Sequence, residues 1–131
     1  MASSAAKAAP ARQFAIEVAR LLANTRCSHV RLLDATGISP ITDYMVLATG
    51  TSPRQMKSVA DDLQELGESQ RNPALSRVGD ESGQWIVVDF VDVVAHVFGA
   101  EARNFYDLDN LWGDAKIVEW EETVGAAKSK K

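Results

Sequence analysis

Residues 85–112 read WIVVDFVDVVAHVFGAEARNFYDLDNLW, and they decide what kind of fold this chain forms. Two apolar runs, Trp85–Asp89 and Val93–Phe98, stand on either side of a corner made by Asp89, Phe90, Val91 and Asp92. A parallel crossover needs a dozen or more residues, so runs this close must pair as an antiparallel hairpin. After the hairpin, Ala100–Leu111 carries Phe105, Leu108 and Leu111 on one side and reads as a short amphipathic helix. The stretch holds six of the nine aromatic residues of the chain, a concentration typical of protein interfaces. It contains no evident catalytic constellation.

Working outward, residues 43–49 (DYMVLAT) form a near-continuous apolar run, as expected of a strand covered on both faces. The junction after it reads as a helix start. Ser52 suits the N-cap, Pro53 the first helical position, and Gln55 the capping-box position three residues after the cap. The helix buries Met56, Val59, Ala60, Leu63 and Leu66 and is expected to end near Gly67. Residues 68–83 are polar, with Pro73, Gly79 and Gly83, and read as a long loop with room for one turn or short strand. Toward the N-terminus, Phe14, Val18, Leu21 and Leu22 mark one face of a helix whose first turn would hold Pro10. Cys27–Asp34 fits a strand, Thr36–Pro40 a loop, and Lys116–Trp120 a short final strand. The order α-β-β-α-β-β-α-β describes a mixed sheet packed with helices, an α/β (α+β) architecture.

A chain of 131 residues makes one domain plus tails. The domain is placed at residues 12–120, between a disordered tail at 1–11 and a basic tail at 121–131. Net charge is −4, yet the segment from residue 13 to residue 124 holds 9 basic against 18 acidic residues, a net of −9. Such a body repels nucleic-acid phosphates and suits a basic protein partner. The single Cys27 excludes an intrachain disulfide and fits a reducing compartment. No apolar run approaches the roughly 18 residues of a membrane span, and the N-terminus lacks the apolar core of a secretory signal. A cytoplasmic protein is expected. The Ser/Ala-rich, acid-free N-terminus also has the composition of an organelle-targeting segment, as a lesser alternative.

Enzyme chemistry finds little support. Gly50-Thr51-Ser52 at a helix start favours anions, but no Walker lysine follows and no GxGxxG pattern exists. Two-metal catalysis needs carboxylates on one strand face, whereas Asp89 and Asp92 flank a corner at a three-residue offset. Asp107 and Asp109 fall in the helical stretch, where i and i+2 point apart. Cys27, His29 and His96 are too few for a zinc site, and Cys27 has no nucleophile context. No metal or other cofactor is expected. His96, inside VVAHVF, reads as a hydrogen-bonded sheet-face histidine or a partner contact. Trp85, Tyr106 and Trp112 suit core and interface equally.

The segments ITDYMVLATGTSPRQMKSVADDL and WIVVDFVDVVAHVFGAEARNFYDLDNLWGDA resemble the Iojap family, the ribosomal silencing factors, over roughly residues 12–120. The matching motifs are Asp43-Tyr44 leading to Thr49-Gly50-Thr51-Ser52, Trp85…Asp89, Asp92…His96-Val97-Phe98, and Arg103…Tyr106…Leu108…Leu111-Trp112. The resemblance implies a nucleotidyltransferase-like fold without a working catalytic set. It also implies a protein that binds the large ribosomal subunit through ribosomal protein L-fourteen and blocks joining of the small subunit, repressing translation under starvation. Those motif residues then become partner-binding candidates: Asp43, Tyr44, Trp85, Asp89, Asp92, His96, Arg103, Tyr106, Leu108, Leu111 and Trp112. The tails could reach ribosomal RNA at the periphery, and the free protein could pair as a homodimer. The competing readings are a nucleotidyltransferase-like enzyme acting on nucleotide or RNA, and a large-subunit assembly factor. One departure stands out. Where the family usually has Asp-aromatic-Gly-Asp, this chain has Asp89-Phe90-Val91-Asp92, and a β-branched residue is strained wherever that glycine takes a positive φ.

Overall fold

The structure, a computed structural model, describes residues 4–40, 42–79, 83–102 and 115–121. Helix α1 (Ser4–Asn24) is followed by strands β1 (Ser28–Asp34) and β2 (Tyr44–Thr49), then helix α2 (Pro53–Ser69). Strands β3 (Ser76–Gly79), β4 (Trp85–Asp89), β5 (Val93–Phe98) and β6 (Lys116–Val118) complete the order. They form one six-stranded sheet in the order β3-β4-β5-β2-β1-β6. Only β2 and β5 pair in parallel among these strands; the other neighbours are antiparallel. This is the mixed α/β sheet expected from the sequence, with β4 and β5 bounded as their apolar runs suggest. Strand β3 comes out of the stretch read as a loop. Residues 100–102 begin a helical turn, and the rest of the expected helix to Leu111 lies outside the described residues. No helix among the described residues is long and apolar enough to cross a membrane.

Both helices pack on one face of the sheet. Phe14, Val18 and Leu22 of α1 and Met56, Val59, Ala60 and Leu63 of α2 meet Val46, Ala48, Ile86, Val88, Val93, Ala95 and Val97 in the main core. Alternation along the strands sends Leu33, Met45, Leu47 and Phe98 to the opposite face, where they cluster with Ala115 and part of Trp85.

Helix α1 departs from expectation at its start. It begins at Ser4, so Pro10 lies inside it and not in its first turn. Proline removes one i→i−4 bond there, but Ala5, Ala6, Ala8, Ala9 and Ala11 surround it with the strongest helix former. The helix therefore takes in residues that the sequence assigns to a tail.

Helix α2 starts as its cap predicts: Ser52 Oγ accepts the Gln55 N–H at 3.1 Å. The Gln55 side chain reaches back one residue further than a standard capping box and accepts from the Thr51 N–H at 2.9 Å. The end differs, since α2 continues past Gly67 to Ser69. Gly67 is there for space: a Cβ on it would lie 2.5 Å from the Asn72 carbonyl oxygen and 2.7 Å from Phe90 Cε1. The left-handed residue after the helix is Arg71, at φ 58°. Asn72 N–H donates to the Gly67 carbonyl and Arg71 N–H to the Glu68 carbonyl, the paired bonds of a Schellman motif.

The hairpin corner holds the main strain. Phe90 is buried, packed edge-on against Phe14 with ring centroids 4.9 Å apart. Val91 stands half exposed at φ 78°, and the Asp92 N–H donates to the Phe90 carbonyl across it at 3.0 Å. This is the γ-turn of positive φ, a strained form for any residue with a Cβ. Withdrawing Phe90 from the core would cost about 2–3 kcal/mol, more than the roughly 1–2 kcal/mol of strain at one such residue. The phenylalanine therefore sets the corner and the valine bears it. Val91→Gly is expected to raise stability by about 1 kcal/mol, after allowing for the greater freedom of glycine in the unfolded chain. Urea unfolding measures this directly, and a lower midpoint for the variant would show that the corner is not strained.

Candidate functional site

The face of the sheet opposite α1 and α2 carries most of the described candidate residues, in rows fixed by strand register. One row runs Val78, Val87, His96, Leu47, Arg31 from β3 to β1. The next runs Ser76, Asp89, Val94, Met45, Leu33, Ile117. A third begins Trp85, Phe98, Thr49. The rows are buried at β5 and β2 and open toward both edges, at β3–β4 and at β1–β6. Leu47 and Phe98 are 0% exposed, whereas Val87, Asp89 and Trp85 are partly exposed and Val78 is 63% exposed. The accessible part of this face on the β3–β4 side is thus a stripe of Trp85, Val87 and Asp89 along β4, with Val78 beside it; on the β1–β6 side it is Arg31 and the 65% exposed Ile117.

Trp85 is held by an aromatic cluster. Its ring centroid lies 5.1 Å from that of Phe98 and 6.2 Å from that of His96, and His96 stacks on Phe98 at 5.7 Å. Trp85 Nε1–H donates to His96 Nδ1 at 3.3 Å. A donor at Nδ1 requires the neutral tautomer with its proton on Nε2. Burial keeps the imidazole neutral, pushing its pKa down to about 4 from the ordinary 6.5, while the Asp89 carboxylate pulls weakly the other way. His96 is therefore an orienting neighbour of Trp85, 9% exposed itself.

The three aspartates gather at one end of the sheet. Asp89 Oδ1 accepts the Val91 N–H at 2.7 Å, so this carboxylate braces the strained corner. The Asp92 carbonyl accepts both the Asp43 N–H at 3.1 Å and the Tyr44 N–H at 3.0 Å, joining the corner to the start of β2. All three carboxylates are partly exposed, and Asp34 ends β1 beside them, opposite Tyr44. The result is an acidic edge bordering the apolar stripe. Asp92 also lines a cleft of about 410 Å³ with Pro10, Phe14, Gln70, Arg71 and Asn72.

Tyr44 does not belong to this surface. It is 3% exposed and packs in the helix-side core, because Asp43 and Tyr44 alternate across the sheet. Arg103, Tyr106, Leu108, Leu111 and Trp112 lie outside the described residues. Val78 and Val87 were not apparent from the sequence. Val87 is hidden in an unbroken apolar run, and Val78 sits in the stretch read as a loop.

Comparisons with known proteins agree over most of the chain. The family model described as ribosomal silencing factor during starvation matches residues 8–131. Ribosomal silencing factor RsfS of Chromobacterium violaceum is 38% identical over 96 residues, covering 73% of this chain and 76% of that protein. RsfS of Halalkalibacterium halodurans is 34% identical over 99 residues, covering 76% of this chain and 85% of that one. The chloroplastic protein Iojap of Zea mays is 28% identical over 107 residues, with 81% of this chain and 46% of that protein covered. A crystal structure of a Chromobacterium violaceum protein superposes with a TM-score of 0.69 at 32% identity, over 79% of this chain and 84% of that one.

The Trp85–His96 pair makes stability depend on pH. The unfolded chain takes up a proton near the ordinary value of 6.5, the folded chain only near 4. Protons thus favour the unfolded state between those values. Stability from this group is full above pH 6.5 and falls by about 3 kcal/mol as pH drops to 4. Urea unfolding of wild type and His96→Gln over that range checks it. Equal pH slopes for the two proteins would rule out the buried neutral imidazole.

Proposed function

We propose that this chain, which belongs to the family of ribosomal silencing factors, docks on the large ribosomal subunit through ribosomal protein L-fourteen and blocks joining of the small subunit. The observation that carries the reading is the stripe of Trp85, Val87 and Asp89 with Val78 beside it, bordered by Asp43 and Asp92. A partly exposed tryptophan packed on Phe98 and His96, at one end of an apolar stripe that ends in carboxylates at the other, has the anatomy of a binding hot spot. Hydrogen bonding to His96 and tilted packing against Phe98 limit the conformations of the Trp85 indole before docking, which lowers the entropy cost of binding. The acidic rim complements a basic ribosomal surface and steers the approach.

Nothing in this mechanism makes or breaks a bond; occupancy alone excludes the other subunit. The use of the Asp89 carboxylate as a backbone acceptor within its own corner fits this role better than metal-assisted transfer. In the free protein the same stripe can meet a second copy of the chain, so self-association and docking compete.

Purified large subunits should bind the wild-type chain in co-sedimentation, small subunits should not, and addition of the chain should inhibit subunit joining. Trp85→Ala is expected to weaken binding by about 2 kcal/mol, roughly 30-fold, as loss of a hot-spot aromatic does. Val78→Lys, a change at a 63% exposed position, should weaken binding with no change in unfolding midpoint. Folded variants that bind as tightly as wild type would remove the stripe from the interface, and wild-type binding to neither subunit would refute the docking itself.

A further inference from the structure

The acidic body conceals a basic end. Residues 18–33 and 44–60 contain no Asp or Glu, yet they hold five of the nine basic residues between positions 13 and 124. The fold brings these segments together at the end of the sheet away from Asp43, Asp89 and Asp92. Ser28 lies opposite Thr49, and Gln55 Nε2 donates to the Thr25 carbonyl at 2.8 Å. That bond ties the residue before Arg26 to the residue after Arg54. Lys57 follows Arg54 by three positions, a neighbour on the helix surface. Arg26, Arg54 and Lys57 are all exposed, and none forms an ion pair with a described residue. His29 is exposed at the same end. Glu101, which lines a cleft of about 230 Å³ with Thr51, Ser52 and Pro53, borders the patch on its other side.

Folding stability does not account for these cations. Arg54 occupies the first turn of α2, the end where the helix dipole disfavours positive charge, and Lys57 follows it in the second turn. Arg26 stands at φ 75° after α1, with the Cys27 N–H donating to the Leu22 carbonyl across it. That is the left-handed position of a Schellman motif, which glycine fills without strain. None of the large apolar side chains exposed among the described residues, Ile38, Leu75, Val78, Val91 and Ile117, falls in these two segments. A contact made here has charge and no apolar centre. Protein interfaces need such a centre, whereas contacts to a phosphate backbone are dominated by charge.

We propose that Arg26, Arg54 and Lys57 form a second contact, to ribosomal RNA phosphates, while the stripe and acidic edge meet protein. The proposal rests on the docking reading above. The acidic edge and the basic end lie at opposite ends of β2, about 20 Å apart, with the stripe running between them from Asp89 to Trp85, so one molecule can engage RNA and protein together and its orientation on the subunit is fixed.

The test is binding of the full chain to purified large subunits across a range of salt. The triple variant Arg26→Gly, Arg54→Gln, Lys57→Gln is expected to bind about 10-fold more weakly at 0.1 M salt, with the slope of log affinity against log salt smaller by about 2. Arg26→Gly alone should raise the unfolding temperature yet weaken binding, which separates the contact from folding. Trp85→Ala should weaken binding and leave the slope unchanged. A photocrosslinker attached through Lys57→Cys should capture ribosomal RNA. An unchanged slope in the triple variant, or capture of ribosomal protein alone, overturns the RNA contact while the docking reading stands. Failure of the wild-type chain to bind large subunits overturns both.

Discussion

The parallel pairing of β2 with β5 is the constraint on which the rest of this structure depends. Tyr44–Thr49 lies in register with Val93–Phe98 at the centre of the sheet, and every residue of both strands is buried. Parallel neighbours cannot be joined by a tight turn, so the chain between them must leave the sheet and return. It does so as α2, which covers one face, and as β3 and β4, which extend the sheet on the far side of β5. The acidic edge and the basic end both follow from that path. The N-terminal ends of β2 and β5 bring Asp43 and Asp92 together, and the C-terminal end of β2 leads into α2 with Arg54 and Lys57.

The corner at Asp89–Asp92 joins that central pair to the β4 stripe. Phe90 fills the space between Phe14 and Gly67, Asp89 braces the turn, and the Asp92 carbonyl closes it onto Asp43 and Tyr44. A strained Val91 is the consequence, because three anchors leave it no other backbone conformation. The orientation of Asp89 and of the β4 stripe is therefore inherited from a buried phenylalanine. A substitution at Phe90 or Gly67 would disturb the proposed docking face without itself lying on it.

Sequence alone was most informative where one physical signal acted without competition. The hairpin, the all-apolar β2 and the Ser52 cap were legible because chain length, hydrophobic run and capping chemistry each permit one local answer. Helix ends were less so. Gly67 looks like a helix terminus, but glycine also serves where a neighbouring ring leaves no room for a Cβ, and a string of letters does not separate the two causes. Pro10 misleads in the opposite way, since its alanine flanks outweigh one lost hydrogen bond. The site was legible as a composition more than as a surface. Trp85 and Asp89 stand out by type, but Ile86, Val87 and Val88 read alike until pairing with β5 assigns each to a face. Tyr44 shows the same limit: its place in a motif says nothing of the side on which it falls.

Charge is where the three-dimensional arrangement adds most to the linear one. A body of net −9 docked as proposed among ribosomal RNA would be repelled as a whole, and the short reach of electrostatics in physiological salt decides what that repulsion means. Screening over roughly 8 Å makes the two ends of β2 electrically independent, since they are about 20 Å apart. Each end then responds to what lies immediately beside it. An acidic edge around Asp43, Asp89 and Asp92 tolerates only basic protein surface, and a basic end around Arg26, Arg54 and Lys57 tolerates phosphate. A molecule with such ends cannot rotate on its site without placing one end against like charge. In the proposed role, in which the protein acts by filling space, that orientation determines which neighbour it excludes.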